Sequence, residues 1–593
     1  ESFNLNRAES VRFIQPNASS SVLNRIMNGM PTGIDGSVYA NGNVYFVNPA
    51  GIYFGRNAVI NVGGIFAAAG NISNQDFLNN VNRFTDLSGE VINRGQINAV
   101  SGAHLVGRRV ANFGQIVAPD GMITMTAGKD VLLGERGGKV FARIKGDAAN
   151  PGSVENHGVI DAGSGQVLAG VGDHFALALY DTSRIRATSI RVAGGASSSV
   201  RVSGELDASN AAGAGGQIDV LGGKIALRNA ELDASGTTAG GQIHVGGDFQ
   251  GKGDRLRARA TLVDANSTIN VDASNGDAGS AVVWSDGATF FYGDISARGA
   301  GKGGFAEVSS KGMLDFRGSF DLRGAFRNGT LLLDPKNIQV VANGTGPAAT
   351  EADFDEFSDN ASGSSLLDAD LLSGWLNGPG AEVILQASND IFFLNGANVV
   401  QNAGSNVDLR LTAGRRIMFL GGSVLSLDGG SLFATANAQG FVAGQRDAGF
   451  GSILVLDGAV VRSNTGALNF TVDSTADATS TPGDLVLFGD VRAPVLNLAA
   501  TYTNSRIGLV EDGDAGNDTI GFGGRVSIDA GQFVVFLNHA GEWSFESLDV
   551  ASPLIVFDAN ATGVTATGID PSDGLTFTQL DRLGPVGLFT QNT

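Results

Sequence analysis

Apolar and polar residues alternate along most of the chain in short runs of the type Val-x-Val or Ile-x-Leu, separated by Gly, Asn, Asp and Ser. Alternation with period two predicts strands with one buried face. Gly and Asn supply the positive φ that tight turns between such strands require. Helical spacing is rare. Its best instance is residues 364–377, where Leu366, Leu367, Leu371, Leu372 and Trp375 predict a short amphipathic helix.

The alternation is itself repeated. Asn93, Gly95, Ile97 and Ala99 form an Asn-x-Gly-x-Ile-x-Ala unit that returns 19 residues later at Asn112, Gly114, Ile116 and Ala118. It returns again after 44 residues at Asn156, Gly158, Ile160 and Ala162, a step that reads as about two units. Leu206-Asp207-Ala208-Ser209, followed by Gly215-Gly216-Gln217-Ile218, recurs 26 and 25 residues on at Leu232 and Gly240. Weaker copies start at Val271 and Ile295, and Leu385-Gln386-Ala387-Ser388 matches Leu411-Thr412-Ala413-Gly414 at a spacing of 26. Strand-only units of 19–26 residues predict the coils of a parallel β-helix. A β-propeller would repeat at about 40–45 residues. Inward residues should stack in apolar ladders, and Asn93, Asn112 and Asn156 are candidates for a stacked turn-stabilising ladder.

Composition agrees with coils. Among 593 residues, 87 are Gly and 13 are Pro, without a collagen triplet, so Gly reads as turn punctuation. Phe outnumbers Tyr 34 to 6, as inward aromatic stacks prefer, because a buried Tyr hydroxyl needs a partner. That ratio also argues against a sugar-binding groove. The absence of Cys excludes disulfides and Cys-ligated zinc. With 39 basic and 59 acidic residues the net charge is −20, which argues against a nucleic-acid partner. A hydrophobic content of 42% excludes a disordered acidic tail. No stretch of apolar residues is long enough for a transmembrane helix. The start Glu1-Ser2-Phe3-Asn4 lacks the basic and apolar parts of a secretory signal, which fits either a cytosolic chain or one whose signal has been removed.

Candidate chemistry is sparse. His104, His157, His174, His244 and His539 are scattered, with no zinc-ligand spacing. No catalytic residue, metal ligand or cofactor is assigned. Asp207, Asp233 and Asp272 could line successive coils. They read as turn-capping side chains rather than a calcium stripe, since no Gly-Gly-x-Gly-x-Asp repeat occurs. Gly134-Glu135-Arg136-Gly137-Gly138-Lys139 is followed by Val140 where a phosphate loop needs Ser or Thr, and reads as an exposed hairpin excursion. The acidic cluster Glu351, Asp353, Asp355 and Glu356 follows Gly344-Thr345-Gly346-Pro347 and reads as a linker. The closing stretch Gly584-Pro585-Val586-Gly587-Leu588-Phe589 is apolar and not an obvious cap, which permits an assembly interface.

The N-terminal stretch carries sharper motifs. Asn48-Pro49-Ala50-Gly51-Ile52 is followed by Val62-Gly63-Gly64 and by Ser73-Asn74-Gln75-Asp76-Phe77. This order resembles the secretion domain of the filamentous haemagglutinin family, the exoproteins of two-partner secretion systems. The family's Asn-Pro-Asn-Gly-Ile motif has Ala50 at its third position here, one side-chain acceptor fewer, with the turn residues Pro49 and Gly51 kept. Val282-Val283-Trp284-Ser285-Asp286 and Gly329-Thr330-Leu331-Leu332-Leu333-Asp334-Pro335 look like the repeat region of large members, so the resemblance spans roughly residues 10–340.

The resemblance implies an all-β, right-handed parallel β-helix with an N-terminal cap and small extrahelical excursions. It divides the chain into a secretion-type domain over 1–150, β-helix repeats over 151–340, an acidic linker with a short helix over 341–380, and further coils over 381–593. Asn48, Pro49, Gly51 and Ile52 become the candidate secretion-motif residues. The implied partner is an outer-membrane transporter of the two-partner type, and the implied location is outside a Gram-negative-type cell or on its surface. The implied role is an adhesin-like structural rod that binds a host or neighbouring-cell surface or self-assembles into fibres. A polysaccharide-acting lyase or hydrolase on the same fold is the alternative, and a carrier for a C-terminal toxin is a third.

Overall fold

The computed structural model describes residues 2–136, 139–146, 152–172, 177–343, 364–378, 381–441, 446–476, 480–511, 525–538, 544–545, 547–552, 555–558, 565–566 and 586–587. The chain is a right-handed parallel β-helix: strands pair in parallel with their counterparts one coil further along. It divides into two compact units, residues 1–307 with 317–327, and residues 308–316 with 328–593.

In the first unit one ladder runs through Ile97, Ile116, Ile160, Ile185, Leu206, Leu232, Ile269 and Ile295, each in register with the next. All eight are buried. Period two explains the pattern: Gln96 and Asn98 flank Ile97 and point the other way, half-buried or exposed. Stacking like on like gives every inward residue an apolar neighbour above and below, which is what holds a solenoid together. The second unit repeats the device. Leu331, Val383, Leu409, Leu432, Leu468, Leu496 and Val526 form one ladder. Ile338, Ile391, Ile417, Ile453, Leu485, Ile507 and Val534 form another. Phe393 and Phe419 stack next to the latter, ring centres 4.6 Å apart.

The 44-residue step between Ile116 and Ile160 is not two units. The two residues are direct neighbours in the ladder, so the step is one coil carrying an inserted hairpin. That hairpin, Asp130–Arg136 with Lys139–Lys145, pairs antiparallel and is extended by Asn82–Phe84. It is the excursion expected at Gly134. It lies on the outward face of the coil, where Tyr45, Phe66, Val106, Phe84, Val131 and Leu133 make a second apolar cluster outside the helix bore. Residues at the outward parity of these strands are therefore apolar too, which alternation alone assigns to solvent.

The first rung is covered by the chain start. Leu5 bridges to Ile34, and Phe3 lies edge-on to Phe46 at 4.9 Å. The helix expected over 364–377 is shorter than its pattern. Ser365–Asp368 is a strand paired with Ile338–Val341, and the helix runs Ala369–Asn377. Asp368 sets the boundary, its carboxylate accepting the Asp370 N–H at 3.0 Å, so Leu366 and Leu367 belong to the strand. No helix among the described residues is long and apolar enough to cross a membrane. The acidic cluster at 351–356 lies outside the described residues, as does most of the closing stretch at 584–589.

Candidate functional site

The strand Asn43–Val47 sends Val44 and Phe46 into the bore and ends at Asn48. Asn48 is only 1% exposed, so its polar groups must be satisfied inside. They are. Its N–H donates to the Ala68 carbonyl at 3.0 Å, and its carbonyl accepts the Gly51 N–H at 3.0 Å. Its side-chain oxygen accepts the Ala50 N–H at 2.9 Å. Its amide nitrogen donates to the Met30 carbonyl at 2.9 Å and to Thr32 Oγ1 at 3.0 Å. Asn48 thus closes an Asx turn over Pro49-Ala50 and anchors the loop of the preceding coil.

The rest of the motif follows from that turn. Pro49 is half-buried and its carbonyl accepts the Ser88 hydroxyl at 3.1 Å. Gly51 takes φ +120°, where a Cβ would meet the Glu90 carbonyl oxygen at 3.1 Å, so only Gly fits without strain. Ile52 is buried between Thr32 and Val91. Only Pro49 and Ala50 present side chains toward solvent. The Ala50 substitution leaves the turn intact because the acceptor that closes it belongs to Asn48.

The second motif docks beside the first. Ser73 caps the helix Asn74–Leu78: its hydroxyl accepts the Asp76 N–H at 2.9 Å and donates to the Asp76 carboxylate at 2.8 Å. Arg25 joins this helix to the first rung, donating to Asn74 Oδ1 at 2.8 Å and to the Ile72 carbonyl at 2.7 Å. Phe77 packs edge-on to Tyr45 at 5.2 Å. Tyr45 stacks on Phe66 at 4.3 Å, and Phe66 on His104 at 4.4 Å. Burial pushes the Tyr45 phenol up and the His104 imidazole down to about 4, while His104 Nδ1 lies 3.0 Å from Thr124 Oγ1. In the sequence His104 stands only as one of five scattered histidines, and Arg25, Thr32 and Tyr45 carry no assignment. Of these only Tyr45 had a readable signal, the rung-to-rung recurrence of apolar residues such as Tyr45, Phe66 and Val106 at the outward parity. Met27, Met30 and Leu78 are left exposed on these loops.

The Asn ladder is formed: Asn93 donates to Asn112, and Asn112 to Asn156, each at 2.8 Å and each residue fully buried. Asp207 and Asp233 cap local turns, accepting the Ser209 N–H at 3.0 Å and the Ser235 N–H at 2.8 Å. Asp272 is not a local cap: it accepts the Arg298 N–H from the next coil at 2.7 Å and takes that guanidinium's Nε and Nη2 on its other oxygen at 2.9 and 2.7 Å. Among the described residues no three His, Asp or Glu side chains are placed to hold a metal. His157 stacks on Phe113 at 4.9 Å; His174 and His539 lie outside the described residues.

A parallel β-helix that opens on a rigid Asn-closed turn, backed by a capped helix and an extrahelical sheet, is the class these features define. Residues 1–206 match the TPS secretion domain family, which makes this N-terminal third a two-partner-type secretion domain. The chain is 32% identical over 173 residues to a heme/hemopexin-binding protein of Haemophilus influenzae, covering 27% of this chain and 19% of that protein. A second heme/hemopexin-binding protein of Haemophilus influenzae is 34% identical over 85 residues, 14% of this chain and 9% of that one. The chain therefore spans less than a fifth of the length of these curated relatives. The crystal structure of the HMW1 secretion domain from Haemophilus influenzae is 27% identical, with a TM-score of 0.48 over 54% of this chain and 91% of that one.

Proposed function

We propose that the chain is a secreted, adhesin-like structural exoprotein, exported through an outer-membrane transporter of the two-partner type and acting outside a Gram-negative cell or on its surface. The observation that carries the reading is the family match over residues 1–206 on a region whose Asn48–Gly51 turn is fixed at both ends by buried hydrogen bonds. Asn48, Pro49, Gly51 and Ile52 shape the motif, and Pro49-Ala50 is the face it offers. A chain without Cys suits threading through a pore unfolded, and coils that need only a neighbour can then stack one after another. Outside the cell, a stack of rungs presents repeated surface to a host or neighbouring cell, and weak contacts gain by multivalency. Self-assembly into fibres belongs to the same reading.

The test is co-expression with an outer-membrane barrel of the two-partner type. The chain should reach the medium only when that barrel is present. Equal export without it would overturn the proposal. A polysaccharide screen separates the enzyme alternative: the structural role expects no turnover.

A further inference from the structure

Between the strands Gln242–Val245 and Ala260–Val263 the chain leaves the coil for fourteen residues, 246–259. The corresponding corners one coil before and one coil after, between Gln217–Leu221 and Lys224–Asp233 and between Ser280–Ser285 and Ala288–Phe291, take two residues each. The insertion does not project into solvent. It folds back along the outward face of the coil and touches four successive rungs.

Arg255 reaches the earliest of them, its Nε 3.0 Å from Asp219 Oδ1, and pairs also with Asp248 within the insertion. His244, on the insertion's own rung, has Nδ1 3.4 Å from the same Asp219 and is nine-tenths buried. On the next rung Trp284 is 2% exposed because the backbone lies flat on its indole. A Cβ at Gly247 would sit 2.7 Å from its Cδ1, and one at Gly251 2.6 Å from its Cζ2. Arg257 pairs with Asp286 on that rung at 3.1 Å. On the fourth rung the carboxylate of Glu307, fully buried, accepts the Gln250 N–H at 3.0 and 3.1 Å, and Phe249 packs edge-on to Phe305 at 5.7 Å. Gln250 holds φ +52°, a left-handed conformation that a non-Gly residue keeps only when its surroundings impose it.

The order of these contacts along the chain matters. Gln250 and Glu307 are 57 residues apart, so where rungs are laid in chain order, as the proposed export has it, the insertion's last anchor is absent when its own rung forms. The Gln250 N–H lies on both oxygens of the buried Glu307 carboxylate, so closing the insertion lowers the cost of burying it. We propose that residues 246–259 are a late-closing strap: they stay off the coil until the rung bearing Glu307 is laid, then clasp four rungs into one unit that opens together. The strap covers Asp219, His244, Trp284 and Glu307, and fixes the register of the rungs beneath it.

The 593-residue chain has no Cys, so single introduced thiols report cleanly. Val282→Cys lies opposite His244 on the strand that carries Trp284, beneath the strap, whereas Ile243→Cys faces the bore. In the parent chain both thiols should become reactive to a maleimide in the same urea transition. Adding Glu307→Ala, or independently Arg255→Ala, should speed labelling of Val282→Cys in native buffer at least tenfold and leave Ile243→Cys protected. Glu307→Gln serves if Glu307→Ala does not fold. The proposal is overturned if Val282→Cys labels in the parent well before Ile243→Cys. It is equally overturned if neither anchor variant changes the rate, or if both thiols accelerate together.

Discussion

Buried amides and the imidazole of His104 carry most of the residue-scale chemistry. Asn112 sits between Asn93 and Asn156 and donates and accepts within the ladder at 2.8 Å on each side. Asn112→Ala would strand an acceptor on Asn156 and a donor on Asn93, both fully buried. Leaving such groups unsatisfied should cost about 2–3 kcal/mol, read as a lower urea midpoint with unchanged slope. His104 makes a pH prediction. Burial lowers its folded pKa to about 4 from an ordinary 6.5, so the folded state keeps it neutral while the unfolded state takes up a proton. Stability should therefore be full above about pH 6.5 and fall as pH drops toward 4, by roughly 3 kcal/mol at the end of the window. Between pH 6.5 and 5 the ordinary carboxylates are still ionised in both states, which isolates the imidazole. Urea midpoints at pH 7.5 and 5 test it, and His104→Phe should flatten the difference. The Asn ladder was legible because Asn recurs with the Ile ladder. His104 was not, because its neighbours Tyr45 and Phe66 come from strands distant in sequence.

At the scale of elements, the apolar ladders and the hairpin at Gly134 were legible, while the insertion at 246–259 and the true coil step across each excursion were not. Ile97, Ile116, Leu206 and Leu232 stand in repeats whose spacing is the coil itself. Where a hairpin or strap enters, the step stretches to 44 residues from Ile116 to Ile160, or to 37 from Leu232 to Ile269, yet the register across the gap is that of direct neighbours. Spacing measures chain length and register measures space, and the two separate at an insertion. The helix after Asp368 shows a related confusion. Leu366 and Leu367 fit a helical stripe by spacing but pair as a strand with Ile338–Val341, and the Asp368 cap decides where the helix begins. The ladder makes its own prediction. Ile185→Ala removes a fully buried rung and should cost about 3 kcal/mol. Val159→Ala, at an exposed position of a neighbouring rung, should change stability by less than about 0.5 kcal/mol. Urea unfolding of the pair separates a stacked core from a loosely filled one.

For the whole molecule, composition and fold point the same way. Two units are each built of stacked parallel rungs, and among the described residues the ladders that fill their bores are apolar. Residues 1–206 match the TPS secretion domain, and the tight turn at Asn48–Ile52 was legible from five consecutive residues because such a turn leaves little choice of sequence. What those five could not reveal is that Asn48 is almost wholly buried and holds Thr32 of the coil before it. On the export role proposed for this turn, a residue placed that way would act through the shape of Pro49-Ala50. Export of Asn48→Ala and of Ala50→Asn, compared with the parent in cells carrying the partner transporter, tests the central claim most directly. The expected result is a loss of at least tenfold for Asn48→Ala and near-parent export for Ala50→Asn, with all three purified chains showing the same β-rich circular dichroism. Parent-level export of Asn48→Ala would contradict the role assigned to the turn.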